Sequence, residues 1–323
     1  MKLSRATTRI SRCLASMLLA VPVMAMSDVL TMTDDTALPV SRWIPEGEPE
    51  RVVLALHGFN DFRRSWESTG EKLREHDIAL YAYDQRGFGE TGTRGEWAGG
   101  RELVRDAVTA ARKLRERYPD VPLYLMGESM GAAITMLALA GEQAAPADGG
   151  ILLAPAVWGR DIQPWYQRLA LVLGESVFPE GRVSTEWVNI RPSNDPDTLH
   201  YWEEHPLVIR EPSMESLAGL GGLMDRARQS AGHQQAPVLM LYGGRDQLVP
   251  PKAVCAMLRG LPAAGTRAPW RMAYYPEGWH FLTRDARSEE TLADISDWLR
   301  DPEAPLPSER ELDIASMKQR LCD

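Results

Sequence analysis

Cysteine is scarce in this chain: 323 residues carry three. They share no metal-ligand spacing, which argues against a metal site. Basic charge is also in deficit, with 36 Lys and Arg against 45 Asp and Glu and a net charge of −9. That acidic balance argues against a nucleic-acid partner and against electrostatic docking on anionic lipid. Internal repeats and low-complexity blocks are missing, which argues against solenoids and disordered arrays. Roughly 20 apolar residues make a stable membrane span. The run from Cys13 to Met26 falls short of that and is broken by Pro22. What remains, at 44% apolar and 25% charged residues, is the composition of a globular enzyme with ample chain for a packed core.

The first 25 residues stand apart. Lys2, Arg5, Arg9 and Arg12 precede the apolar run without any acidic neighbour, and Val23 and Ala25 sit at −3 and −1 to a cut before Met26. This is the layout of a secretory signal peptide, so export to the periplasm or the medium is expected. A true start at Met26 would instead leave a cytosolic protein. Loss of those four cations takes the net charge to −13. The mature chain would keep Cys255 and Cys322, either paired or as two thiols.

Short β-rich runs punctuate the first half. Val29–Thr33 and Leu38–Trp43 alternate on either side of Asp34-Asp35, which predicts a hairpin. Arg51–His57 is nearly continuously apolar, as expected of a strand buried on both faces, and Ala79–Tyr83, Leu123–Met126 and Gly150–Leu153 share that character. Between them, Arg101–Tyr118 lines up Leu103, Ala107, Ala110, Ala111 and Leu114 on one helical face. Strands alternating with helices predict an α/β protein with a mostly parallel sheet covered on both sides.

From Val157 to about Gln235 that rhythm stops, and Trp158, Trp165, Tyr166, Trp187 and Trp202 appear among several prolines. Pro237–Tyr242 and Trp270–Tyr275 then resume the buried-strand pattern, so the excursion reads as a helical cap over the sheet's edge. An amphipathic helix is expected around Glu289–Arg300, and a second one from the capping box Ser308-x-x-Glu311. The chain thus divides into a signal segment (1–25), a core (26–156 and 236–323, with a C-terminal helical tail) and a helical cap (157–235).

The strand at Leu123–Met126 runs into Gly127-Glu128-Ser129-Met130-Gly131 and then into the helix-forming Ala132-Ala133-Ile134. This is G-x-S-x-G in a strand–turn–helix setting, which projects Ser129 as a nucleophile at a helix N-terminus. A serine hydroxyl needs a base, and the base needs an orienting carboxylate. Asp246 follows one later strand through Gly243-Gly244-Arg245, and His280 follows the next through Pro276-Glu277-Gly278. Asp285 is a poorer acid because it comes after the histidine. His76, His200, His205 and His233 lie in helical or cap-like surroundings and suit surface or core roles. The oxyanion donors expected are the backbone N–H groups of Met130 and Phe59, with Asn60 as an alternative to Phe59. His57 suits a structural imidazole beneath the site. Asn60, Trp158 and Trp165 are candidate substrate contacts. No metal and no organic cofactor is required.

These residues also carry a signature. His57-Gly58-Phe59, Asp84-Gln85-Arg86-Gly87-Phe88-Gly89, the serine elbow, Gly243-Gly244-Arg245-Asp246 and Gly278-Trp279-His280 resemble the monoacylglycerol lipase and lysophospholipase branch of the α/β-hydrolases. That branch is related to the serine aminopeptidases. The resemblance spans roughly Val29 to Arg300 and includes the cap segment from Asn194-Asp195-Pro196 through Tyr201 to His205-Pro206-Leu207-Val208. It implies an eight-stranded sheet with the cap inserted after the sixth strand. It further implies hydrolysis of an ester or lipid substrate through an acyl-enzyme, and structural roles for Asp84 and Arg86. Glu128 departs from it, standing where many lipases have histidine, and Thr91 replaces a common serine. Three other readings remain. They are an N-terminal peptidase using Glu203 or Glu204 to hold an ammonium group, an acyltransferase, and a non-catalytic scaffold that would need none of the triad.

Overall fold

A run such as Val-Val-Leu-Ala-Leu is stable as a strand only when both its faces are covered. The computed structural model, which describes residues 29–141, 143–163, 174, 176–184, 190–261 and 270–322, places such runs at the centre of a nine-stranded sheet. The strands are β1 (Val29–Thr31), β2 (Ala37–Trp43), β3 (Arg51–Leu56), β4 (Ile78–Tyr83) and β5 (Leu123–Glu128). They continue with β6 (Gly149–Leu153), β7 (Val238–Gly243), β8 (Trp270–Tyr275) and β9 (Glu311–Leu312). Their spatial order is β1-β2-β4-β3-β5-β6-β7-β8-β9. The ladders from β4 through β8 are parallel, whereas β1, β2 and β9 pair antiparallel at the two edges.

Side chains alternate between two cores. Val52, Leu54 and Leu56 of β3 pack with Leu103 of α2 (Gly100–Arg117), Ile134 of α3 (Met130–Ala140) and Leu258 of α6 (Pro251–Arg259). Val53 and Ala55 face Leu73 of α1 (Glu67–Arg74) and Ile295 and Trp298 of α7 (Ser288–Arg300). Between β6 and β7 the excursion contributes α4 (Pro196–Glu204) and α5 (Met214–Ser230). Asp195 starts α4, accepting the Thr198 N–H at 2.7 Å, and Ser213 starts α5, accepting the Ser216 N–H at 3.1 Å.

Two expectations need correction. Among the described residues the sheet has nine strands rather than eight, because Glu311–Leu312 pairs with Met272 and Ala273 at its far edge. The last helix, α8 (Ile314–Cys322), does not begin at Ser308. The Ser308 hydroxyl and N–H both bond the buried Asp294 carboxylate, and Glu311 is held by the Arg271 guanidinium, so neither residue is free to cap. Asp313 caps instead, accepting the Ser316 N–H at 2.6 Å. The structure also settles the cysteines: Cys255 of α6 and Cys322 of α8 form a disulfide across 67 residues. By loop-closure entropy such a link stabilises the fold by roughly 4 kcal/mol.

The strand order reverses at β3. The chain moves from β3 to β4 on one side, then crosses back to β5 on the other. A crevice opens at the carboxyl ends of strands where the order reverses. Leu56 pairs with Gly127 there, so the loop after β3 lies beside the turn after β5.

Candidate active site

Ser129 is the sharpest point of this crevice. Its backbone sits at φ 54°, ψ −112°, a conformation a serine holds only under constraint. The constraint is steric. A Cβ at Gly127 would lie 2.2 Å from the Gly131 carbonyl carbon, and one at Gly131 would lie 2.0 Å from the Leu56 carbonyl oxygen. Hydrogen bonds fix the turn further, with Ser129 N–H on Leu153 O at 2.9 Å and Ala156 N–H on Ser129 O at 3.0 Å. The side chain is left half-buried at the N-terminus of α3.

The structure brings Asp246 and His280 together. The carboxylate Oδ2 lies 2.8 Å from His280 Nδ1, and Oδ1 accepts the Leu248 and Val249 N–H groups at 2.8 and 2.9 Å. Both side chains are buried. The loops that carry them are laced together by Gly244 N–H on Tyr275 O (2.7 Å) and Arg245 N–H on Gly278 O (2.8 Å). Burial disfavours the imidazolium of His280, but the charge and hydrogen bond of Asp246 outweigh that penalty and hold its pKa above the ordinary 6.5. Asp285, the weaker candidate acid, is engaged elsewhere. It accepts the Trp279 N–H at 3.0 Å and the Arg287 N–H at 2.8 Å, which shapes the loop around His280.

Ser129 and His280 line one cavity of about 1110 Å³, although no hydrogen bond joins them directly among the described residues. Asp246 lies outside that lining, in contact with the ring's far nitrogen. Phe59, Asn60 and Trp158 also line the cavity, whereas Trp165 lies outside the described residues. The N–H groups of Phe59 and Met130 have no acceptor among the described residues. Asn60 takes a positive φ of 65°, and its carbonyl accepts the Ile209 N–H at 3.0 Å, which ties the loop after β3 to the excursion. Leu217, Leu220 and Met224 of α5, with Leu248 and Val249, make one part of the wall apolar; Asp61, Arg191 and Glu203 make another part polar.

His57 is buried beneath this site with both ring nitrogens used. Nδ1 pairs with the Gly58 carbonyl at 2.8 Å and Nε2 accepts the Gln85 N–H at 3.1 Å. Burial, the largest influence, pushes its pKa down. Asp84 binds the Arg63 and Glu90 N–H groups at 2.7 Å each, and Arg86 bridges Asp34 and Asp106. All three are thus engaged in tying loops together. Glu128, singled out in the sequence as a departure, is buried and reaches Arg284, which also holds Asp61. Arg284 carried no sequence signal, because its partners lie 156 and 223 residues away. Among the described residues, no group of three or more His, Cys, Asp or Glu side chains is arranged to hold a metal ion.

The monoglyceride lipase of Rattus norvegicus is 24% identical over 80% of this chain and 84% of its own. The monoacylglycerol lipase of Mycolicibacterium smegmatis is also 24% identical, over 80% of this chain and 90% of its own. Among solved structures, the monoacylglycerol lipase of Paleococcus ferrophilus superposes with a TM-score of 0.64 at 22% identity, covering 82% of this chain and 98% of that one. A thermostable carboxyl esterase from Bacillus coagulans gives 0.69 at 21% identity over 84% and 96%. Both likenesses identify the fold as that of the α/β-hydrolases. The family model described as serine aminopeptidase, S33, matches residues 47–287, most of the chain. The chain therefore belongs to the serine aminopeptidase, S33, family of α/β-hydrolases.

Proposed function

We propose that the protein hydrolyses carboxylic esters of the monoacylglycerol or lysophospholipid type through an acyl-enzyme on Ser129. One observation carries this reading. The 2.8 Å bond from Asp246 to His280 Nδ1 leaves Nε2 of the same ring for the cavity that Ser129 lines. With an ester bound, His280 takes the Ser129 proton as the hydroxyl attacks the carbonyl carbon, and Asp246 stabilises the imidazolium. The Phe59 and Met130 amides donate to the oxyanion; each such donor is typically worth about 100- to 1,000-fold in rate. His280 then protonates the leaving alcohol, and the same nitrogen activates water to release the acid.

The lipid half of the reading rests on the wall formed by Leu217, Leu220, Met224 and Trp158, which suits an acyl chain. The relatives named as monoglyceride lipases support it. A peptidase reading has one observation of its own: Glu203 lines the cavity and offers a carboxylate for a substrate ammonium. A hydrolysis panel tests both. It compares graded p-nitrophenyl esters, monoacylglycerol, lysophosphatidylcholine and aminoacyl anilides, with Ser129→Ala as the control. Turnover of the lipid esters, lost in Ser129→Ala, is the expected result; preference for aminoacyl anilides would transfer the assignment to peptidase.

Export, with 1–25 as a leader and 157–235 as the cap shaping the acyl pocket, belongs to the same proposal. The Cys255–Cys322 disulfide supports it, since such links persist in oxidising compartments.

A further inference from the structure

Beside the serine elbow lies a buried ion cluster that the chemistry above does not use. Arg284, four residues beyond His280, donates from Nη2 to Asp61 Oδ2 at 3.1 Å and to Glu128 Oε1 at 2.5 Å. The three side chains are 10%, 3% and 2% exposed in that order. Each carboxylate belongs to a different part of the site. Asp61 closes the turn that carries Phe59, its N–H on the Gly58 carbonyl at 3.3 Å and its Oδ1 accepting the Phe62 N–H at 3.0 Å. Glu128 ends β5 immediately before Ser129. Arg284 itself is fixed by Ser193 Oγ on its carbonyl at 2.8 Å and by the Phe281 ring 4.0 Å from its guanidinium carbon.

Moving three ions out of water is costly, and a buried pair of this kind adds little stability over apolar packing. Its value is more readily geometric: a planar guanidinium holds two carboxylates in one fixed relation, which an ammonium on a flexible stem does not. We propose that Arg284 is a positioning residue for ester hydrolysis, locking the loop of the Phe59 amide to the Ser129 elbow. This rests on the triad reading above.

The charges of the cluster also reach His280. Asp246 and Glu128 strengthen its hold on a proton, and Arg284 weakens it. Burial drives the Glu128 carboxyl toward its neutral form and nearby Asp61 adds to that, while Arg284 opposes both. Asp61 and Arg284 also act, with opposite signs, on His57.

The test is kcat and KM for Arg284→Met, Arg284→Lys and Glu128→Gln, per active site titrated with a fluorophosphonate. Arg284→Met is expected to lose about 100-fold in kcat, the scale of one misplaced oxyanion donor, with KM little changed. Arg284→Lys should recover about tenfold of that loss, because the charge returns without the planar geometry. Glu128→Gln should lose about tenfold in kcat with KM little changed, because the amide gives up the ion pair that holds the elbow to Arg284. Wild-type kcat in Arg284→Met, or a loss confined to KM, would overturn the proposal. If Arg284→Met gives no titratable enzyme, Glu128→Gln decides, and wild-type kcat there overturns the proposal. A fully active Ser129→Ala would sink the triad reading itself. An inactive Ser129→Ala beside a normal Arg284→Met removes only the positioning role.

Discussion

His57 and His280 lie in loops at the same end of the sheet, each 1% exposed, yet their surroundings drive them in opposite directions. Around His57 the ring's partners are main-chain groups, the Gly58 carbonyl and the Gln85 N–H, so burial dominates and the ring stays neutral. Around His280 a buried carboxylate lies 2.8 Å from Nδ1, and proton affinity rises despite the same burial. Depth alone therefore does not make a histidine a base. A charged orienting partner on one nitrogen and open space beside the other do.

Substitutions at the two positions should separate the roles. The largest effect expected is for His280→Ala, which removes the base and should cost at least about 10⁴-fold in kcat per titrated site. His57→Leu should keep turnover far closer to wild type. Equal losses in the two variants would erase the contrast. Asp246→Asn comes next, at about 10³- to 10⁴-fold, because the neutral amide favours the wrong tautomer of His280. A variant within tenfold of wild type would show that the carboxylate does not orient the ring.

A smaller effect falls on stability. His57→Leu leaves the Gln85 N–H and the Gly58 carbonyl without their buried partner, at a cost of about 2–4 kcal/mol in chemical denaturation. An unchanged midpoint would mean that the imidazole holds nothing together.

The smallest and most discriminating effect is the pH dependence of those stabilities. His57 has a lowered folded pKa, so its contribution is present above about pH 6.5 and is lost as pH falls, when the unfolded chain takes up the proton. His280 has a raised folded pKa, so its contribution is present below about pH 6.5 and is lost as pH rises through the folded value. The stability gap between wild type and His57→Leu should therefore narrow toward low pH. The gap to His280→Ala should narrow toward high pH. Gaps that narrow in the same direction would contradict the assignment.

The parts of the site that could be read from the chain were those with local signatures. Gly127 and Gly131 frame Ser129 because backbone approaches within contact there, and that requirement is written in adjacent letters. Asp246 and His280 could be placed because each follows a strand after a short turn, and the hairpin at Asp34-Asp35 announced itself in the same way. Asn60 follows the His57-Gly58-Phe59 run and Trp158 is one aromatic of the excursion; both line the cavity. What escaped depends on partners distant in sequence. Ser308 looks like a cap until Asp294 claims it, and Glu311 looks helical until Arg271 and β8 hold it in a strand. Arg284 looks like one surface arginine among many until Asp61 and Glu128 enclose it. The pairing of Cys255 with Cys322 likewise depends on α6 and α8 being neighbours.

The most direct test of the central claim is peptide mapping by mass spectrometry after brief exposure to a fluorophosphonate and, separately, to a slowly deacylating p-nitrophenyl ester. A phosphonyl and an acyl adduct are expected on the peptide containing Ser129, both absent in Ser129→Ala and formed far more slowly in His280→Ala. Adducts on another residue, or ester turnover that persists in Ser129→Ala, would contradict it.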